Sequence, residues 1–522
     1  MFKTMRYFWV ATLLLVATVV SAQVTTSGMS GKLTDDKKEA IIGAIVQAVH
    51  QPSGSRYATV TNTDGRFNIQ GMRPGGPYEV QIRYVGFKPK SVKNITLELG
   101  ETYNMNIIIS EDAKQMDELV VVGSSSKFAG EKTGASTNIS NAQLESMPTI
   151  SRSITDITRL SPYGGNGMNF AGVDGRTANF TVDGANFNNN FGLSDGLPGG
   201  GSPISIDAIE ELQVVISPFD VRQTNFIGGG VNAITKSGTN KFKGTAYVHH
   251  HNENMRGDVV YGQTIPGARD RDRSTTYGAT FGGPIIKDKL FFFANAEYEA
   301  SPSVAVRWRP SVDGKGSEEQ YLSYTTVADM ERVQEFVKSK YGYNTGSFTD
   351  FPADESNLKL LARVDWNIND RNKLAVRYNY TKNTAWNAPN VSSMDGGERS
   401  AFGRTSLYSM PFANSMYSMN NLVHSASVDL NTRITNNLSN QLLATFSKLD
   451  DVRGSNSDEF PFIDIHDGTN TTTQYMALGY ELFTWNNAVH NTVFNIKDDI
   501  TYYTGNHKII AGISYEYQMA DN

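Results

Sequence analysis

Residues 358–380 read LKLLARVDWNINDRNKLAVRYNY, and their two-residue period decides the fold. Leu358, Leu360, Ala362, Val364, Trp366 and Ile368 share one face of an extended chain, while Lys359, Arg363, Asp365 and Asn367 share the other. Successive side chains of a strand point to opposite sides, so this is a strand with one apolar and one charged face. Asn369 to Asn372 supplies a turn, after which Leu374, Val376, Tyr378 and Tyr380 continue the apolar face opposite Arg377 and Asn379. A soluble sandwich can alternate in this way with its polar face in bulk water. A membrane barrel alternates with its apolar face toward lipid and its polar face toward a wet lumen.

Loop lengths separate the two. From residue 241 onward the same period predicts about nine strands, near 242–250, 275–283, 289–300, 357–368, 372–382, 421–431, 437–448, 490–503 and 507–518. Short turns at Lys287-Asp288-Lys289, Asn369 to Asn372, Thr432 to Asn436 and Thr504 to His507 alternate with long connections over 251–274, 301–356, 383–420 and 449–489. Short turns on one side and long loops on the other are the habit of outer-membrane barrels, whose periplasmic turns are the short ones. Phe291, Tyr298, Tyr378, Tyr380, Tyr502, Tyr515 and Tyr517 fall near strand ends, as interface girdles require.

Composition agrees. The 522 residues contain 24 Tyr, 26 Phe and 47 Gly, a mixture suited to strands, turns and interface belts. A mean hydropathy of −0.37 excludes a bundle of transmembrane helices. The net charge of −6 leaves no long basic face, so a nucleic-acid partner is not expected. With no Cys, disulfides, thiolate metal sites and cysteine catalysis are excluded. Residues 1–22 carry Lys3 and Arg6, an apolar run from Phe8 to Val20, and small residues at Val20-Ser21-Ala22. That run is shorter than the ~20 residues of a spanning helix, and the pattern predicts a cleaved signal peptide with the mature chain starting near Gln23.

Residues 24–110 read as a small β-domain, with Asn62-Thr63-Asp64-Gly65 as a hairpin signal between alternating runs. The string YATVTNTDGRFNIQGMRPGGPYEVQIRYVGF, 57–87, resembles the carboxypeptidase-regulatory-like domain, a seven-stranded sandwich without peptidase chemistry. Residues 111–129 contain Asp117, Glu118, Leu119, Val120, Val121 and Val122, followed by Gly and Ser. A stiff Val run of this kind is extended, and the residues leave two readings: a last strand of the sandwich, or a strand that adds to another protein's sheet. The string resembles the TonB box of TonB-dependent receptors, which implies that Asp117 to Val122 pairs with the TonB protein and its inner-membrane energising complex.

Residues 130–240 are Gly-rich and irregular, with no G-x-S-x-G elbow, Walker string or paired His at metal spacing. SITDITRLSP (153–162), VDG (182–184), IEELQVVISPFDVRQ (209–223) and GGGVNAITKSGTN (228–240) together resemble the plug of the same receptors. Arg176, Asp183 and Arg222 are the plug candidates. By analogy the two arginines would pair with acidic groups on the lumen wall or within the plug, the alternative being solvated surface charges. A plug sits at the periplasmic mouth, so the first strand must run outward into a long loop, as it does here. FGGPIIKDKLFFFANAEYE, 281–299, resembles the early barrel of Oar-like TonB-dependent receptors.

The expected fold is therefore dominated by β-structure: an N-terminal sandwich, a small α/β plug, and over 241–522 the first part of an antiparallel barrel of about 22 strands, with the rest expected downstream. His249, His250 and His251 lack carboxylates at ligand spacing, and Asp313, Glu318, Glu319 and Asp354 match no calcium loop, so no metal or cofactor is expected. Nothing points to an enzyme. The resemblance implies energy-coupled uptake across the outer membrane of a ligand the residues do not identify, with a surface lipoprotein as an optional partner and SusC-like glycan import as one variant. The other reading is a surface receptor or adhesin that imports nothing.

Overall fold

The structure is a computed structural model that describes the chain apart from residues 1–23, 112–118, 123–133, 148, 150–151, 166, 189–196, 199–200, 265–271, 353, 391–401, 469–472 and 506. The expected signal peptide, the two acidic residues Asp117 and Glu118 and most of the segment around them lie outside the described residues.

The alternation of 358–380 becomes the centre of one antiparallel sheet of nine strands: β1 (Lys243–His251), β2 (Ser274–Ile286), β3 (Leu290–Ala300), β4 (Ser356–Asn367), β5 (Asn372–Asn387), β6 (Tyr417–Arg433), β7 (Leu438–Gly454), β8 (Ala488–Thr504) and β9 (His507–Asp521). Each pairs with its sequence neighbour, and β1 and β9 are the two edges of an open sheet. Burial runs opposite to a soluble protein. Leu360, Val364 and Trp366 are about two-fifths exposed, while Lys359, Asp365 and Arg377 are buried at 3%, 5% and 2%. The apolar face meets lipid and the charged face meets the lumen. Tyr298, Tyr378, Tyr502, Tyr515 and Tyr517 are exposed on the lipid side. Phe291 is not a girdle residue: it is fully buried, because the period of β3 turns Phe291, Phe293, Asn295 and Glu297 inward.

Inside this wall lies the plug. Its five-stranded sheet runs in the order Gly134–Ser140, Ile209–Pro218, Gly230–Thr235, Asn179–Val182, Ala185–Asn186, with short helices at Asn141–Ser146 and Ile154–Thr158. Phe180, Val182, Phe187, Leu212, Val214 and Val231 form its core, and Phe293, Leu361, Val423 and Leu449 of the wall close it from outside.

The N-terminal domain is a sandwich around Met29, Leu33, Val46, Phe67, Tyr78, Val80 and Ile82. One sheet holds Ser27–Thr34, Arg66–Met72 and the two short pieces Thr102–Asn104 and Ile107–Ile108. The other runs Ser55–Val60, Ile45–His50, Gly75–Arg83, Lys90–Leu97, Leu119–Val122. Asn62 to Gly65 forms the tight turn its residues demand, with Gly65 at φ 72°. It is nevertheless not a hairpin. Ser55–Val60 pairs with Ile45–His50 and Arg66–Met72 pairs with Ser27–Thr34, so the turn carries the chain from one sheet to the other.

The long outer connections fold together as well. Helix Val327–Tyr341 begins at the Thr326 cap, whose hydroxyl accepts from the Asp329 amide, and ends at left-handed Gly342. It packs with Tyr343, Met410, Phe412, Met416, Met476 and Leu478 into a separate apolar cluster. Strands β6 and β7 carry it. Seventeen residues at about 3.3 Å each, tilted, reach roughly 40 Å, beyond the ~25 Å apolar band.

Candidate functional site

The VDG at 182–184 is a two-residue turn: Val182 pairs with Ala185, and Asp183 and Gly184 take φ of 44° and 77°. Such backbone favours Asp and Gly. A Cβ on Gly184 would stand 2.6 Å from Leu443 of β7, so the turn presses against the wall. This aims the Asp183 carboxylate. It accepts from the Thr235 amide at 3.0 Å and the Thr235 hydroxyl at 2.6 Å. Two wall arginines flank it, Arg363 from β4 at 3.2 Å and Arg377 from β5 at 3.3 Å.

Both arginines are held from several sides. Arg363 Nη1 also donates to the Thr235 carbonyl at 2.9 Å, while Nε and Nη2 donate to Asp365. Arg377 Nη2 donates to the Val182 carbonyl at 3.0 Å and to Ser425. Asp365 is shared: Arg73 of the sandwich reaches it at 3.0 Å. A single chain of charges, Arg73, Asp365, Arg363, Asp183, Arg377, thus joins sandwich, wall and plug. Beside it Asp429 of β6 accepts from Thr25 at 2.6 Å and from Gln441 at 3.0 Å. Buried charges stay ionised only with such partners, and removing one partner costs more than the pair contributes.

A second seam lies further along the lumen. Glu297 of β3 takes Lys359 at 2.8 Å, Tyr247 at 2.6 Å and, from the plug, Ser205 at 2.7 Å. Lys359 also donates to Ser202, and Arg152 of the plug pairs with Asp207 and stacks over Tyr247.

Of the residues singled out in the sequence, Asp183 is the pivot of the site. Arg222 pairs with Asp220 at 2.6 Å within the plug and is largely buried, whereas Arg176 pairs with neighbouring Asp174 and is exposed. Neither ion pair is with the wall. The wall partners Arg363 and Arg377 were visible as inward-facing charges, but their target was not. Arg73 was overlooked, lying in a turn-rich stretch without periodicity. At the plug's contact with the sandwich, Glu211 accepts from the Leu99 amide and from Asn138, both at 2.8 Å. Burial pushes its carboxyl up to about 8, against those hydrogen bonds and with help from Glu98 and Glu210.

Leu119–Val122 runs parallel to Lys90–Lys93 and forms an edge of its sheet, with no further strand beyond it among the described residues. The segment is therefore a last strand of the sandwich that keeps one side open.

The family model of the outer membrane beta barrel domain matches residues 234–306 and 329–522, just over half of the chain. The chain belongs to this outer-membrane β-barrel family. The model of the carboxypeptidase regulatory-like domain matches residues 28–110 of the same barrel protein. Among curated proteins it is similar to the TonB-dependent transporter Oar of Myxococcus xanthus, 24% identical over 71% of this chain and 35% of that protein. It is also similar to the TonB-dependent receptor P3 of Formosa agariphila, 25% identical over 27% of this chain and 13% of that one. Among solved structures, the outer membrane transporter YddB of Escherichia coli shares the fold with a TM-score of 0.51 and 14% identity, covering 74% of this chain and 48% of YddB. The barrel protein thus spans about a third of the length of Oar. Its kinship to Oar-like TonB-dependent receptors and its place in the outer membrane are borne out by these matches.

Proposed function

We propose that this chain is the plug-bearing part of an energy-coupled importer, in which the TonB protein, drawing on the inner-membrane proton gradient, pulls on Asp117 to Val122 and unseats the plug. The supporting observation is the seat of Asp183: an apolar plug core clasped to the wall by buried, exchangeable ion pairs, with an edge strand, Leu119–Val122, leading into it. An edge strand accepts a partner strand through its unpaired backbone groups. Asp117 and Glu118 would supply its acidic head. The carboxypeptidase-like domain is an accessory without peptidase chemistry, and the curated relatives are named as a transporter and a receptor.

The test needs no ligand. Residues 1–522 have no Cys, so Thr181→Cys, made in the full-length protein with any cysteine outside them changed to Ser, places the reporting thiol at a plug position that is 1% exposed. Labelling by a maleimide added to growing cells is expected to rise when the proton gradient is intact. It should stay low with a protonophore and in a deletion of residues 117–122. Labelling indifferent to both treatments would favour the surface receptor or adhesin that imports nothing.

A further inference from the structure

The sandwich does not hang free below the barrel. Its contacts fall at the short-turn end of the wall and cross it from β4 to β9: Ser55 with Asn367 at 2.9 Å, Arg73 with Asp365 at 3.0 Å, Thr25 with Asp429 at 2.6 Å, and Thr102 with Lys508 at 3.3 Å. Above, the Leu99 carbonyl accepts from Gln213 of the plug at 2.7 Å while the Leu99 amide donates to Glu211. Between sandwich, plug and wall lies a cavity of about 310 Å³, with Ala375 in its lining.

From this seating we infer that the sandwich is a second, periplasmic gate, latched by Arg73, and that its departure is the step that loosens the plug. Asp365 and Asp183 draw on the same guanidinium. With Arg73 in place, Asp365 has two cations and Arg363 is divided between Asp365 and Asp183. Once the sandwich withdraws Arg73, Asp365 keeps only Arg363 and competes with Asp183 for that one guanidinium without a second cation of its own. Asp183 is left chiefly to Arg377. The order of events follows from the pairing of Leu119–Val122 with Lys90–Lys93: tension on that strand reaches the sandwich before it reaches the plug. This order rests on the importer reading above; the seating of the sandwich on wall and plug does not.

The experiment places a thiol on the lining of this cavity by Ala375→Cys in the same cysteine-free full-length protein, with Ser427→Cys as a second reporter on the same lining, and measures maleimide labelling in cells. The gate predicts labelling at least tenfold faster in energised cells than with a protonophore, and slow labelling throughout when residues 117–122 are deleted. Arg73→Gln, which removes the charge and keeps a shorter polar side chain, is expected to speed resting labelling at position 375 several-fold. Fast labelling at 375 under protonophore with native Arg73 would overturn the gate, since the mouth would then be open at rest. Slow labelling at 375 in energised cells while Thr181→Cys labels fast would also overturn it, yet leave energy-coupled plug movement standing. Slow labelling at both positions would overturn the two together.

Discussion

The interior of the sandwich and the seam between plug and wall are both buried, but they are built from opposite materials. The sandwich closes on Met29, Leu33, Phe67, Tyr78 and Val80, with an exposure of 1% or less. The lower seam closes on Asp183, Arg363, Arg377 and Asp365, with Thr235 and Val182 lending backbone and hydroxyl groups. Apolar burial has no substitute partner in water, so a domain made that way travels as one body. A buried ion pair loses its attraction on hydration but regains solvation for both charges, so its net cost of opening is small. The difference marks what is to hold together and what is to part. Where the wall does offer apolar contact, through Phe293, Leu361, Val423 and Leu449, it completes the plug's own core.

Two substitutions of similar cost should fail in different places. Asp183→Ala leaves Arg363 and Arg377 facing each other without their shared anion, at a cost of about 3–5 kcal/mol. The urea concentration at which protease begins to cut the plug should fall sharply, while the sandwich resists as before. Phe67→Ala, at about 3–5 kcal/mol, should instead open the sandwich and leave the plug seated. If both variants shifted both domains equally, the two regions would be one cooperative unit and the contrast would be wrong.

The wall offers a smaller test of the same idea within one strand. Leu360 faces lipid and its neighbour Leu361 closes the plug core. Leu360→Arg puts a charge into hydrocarbon at about 2–4 kcal/mol and should lower the folded fraction seen as heat-modifiable migration on gels. Leu361→Arg puts its charge against the apolar plug core and away from hydrocarbon, so the barrel should fold and the plug should loosen. Equal loss of folded barrel in both would contradict the assignment of faces.

Much of this was legible because lipid and lumen impose a period on every strand. All nine strands and their order follow from alternation and loop length, and so does the inward aim of Lys359, Arg363, Asp365 and Arg377. Phe291 misled because a run of three Phe carries no period of its own; the phase had to come from Asn295 and Glu297. Helix Val327–Tyr341 could have been found: Thr326, Asp329, Lys338, Lys340 and Gly342 form a complete set of caps and end charges. The seat of Asp183 could not. Which wall charges a plug turn meets depends on how the plug is rotated in the lumen, and no local pattern encodes that.

The most gradual expected effect, small for each unit of pH, concerns the joint between these regions. Glu211 is buried where the Leu99 amide of the sandwich meets the plug, and its carboxyl titrates at about 8 when seated against an ordinary value of 4.5. Between those values the seated form holds a proton that the separated form has released. Each unit rise in pH across that interval therefore weakens the joint, by at most about 1.4 kcal/mol. Below the interval both forms are protonated and above it both are charged, so the dependence should flatten at each end. Nearby Glu98 and Glu210 push in the same direction, which widens the interval at low salt. Protease release of the sandwich, followed from pH 5 to pH 9, should rise with pH in the native protein and lose most of that slope in Glu211→Gln. A slope that survives the substitution would place the sensitive group elsewhere. His50 is a poor alternative, since burial and Arg73 hold it down at about 3, outside this range.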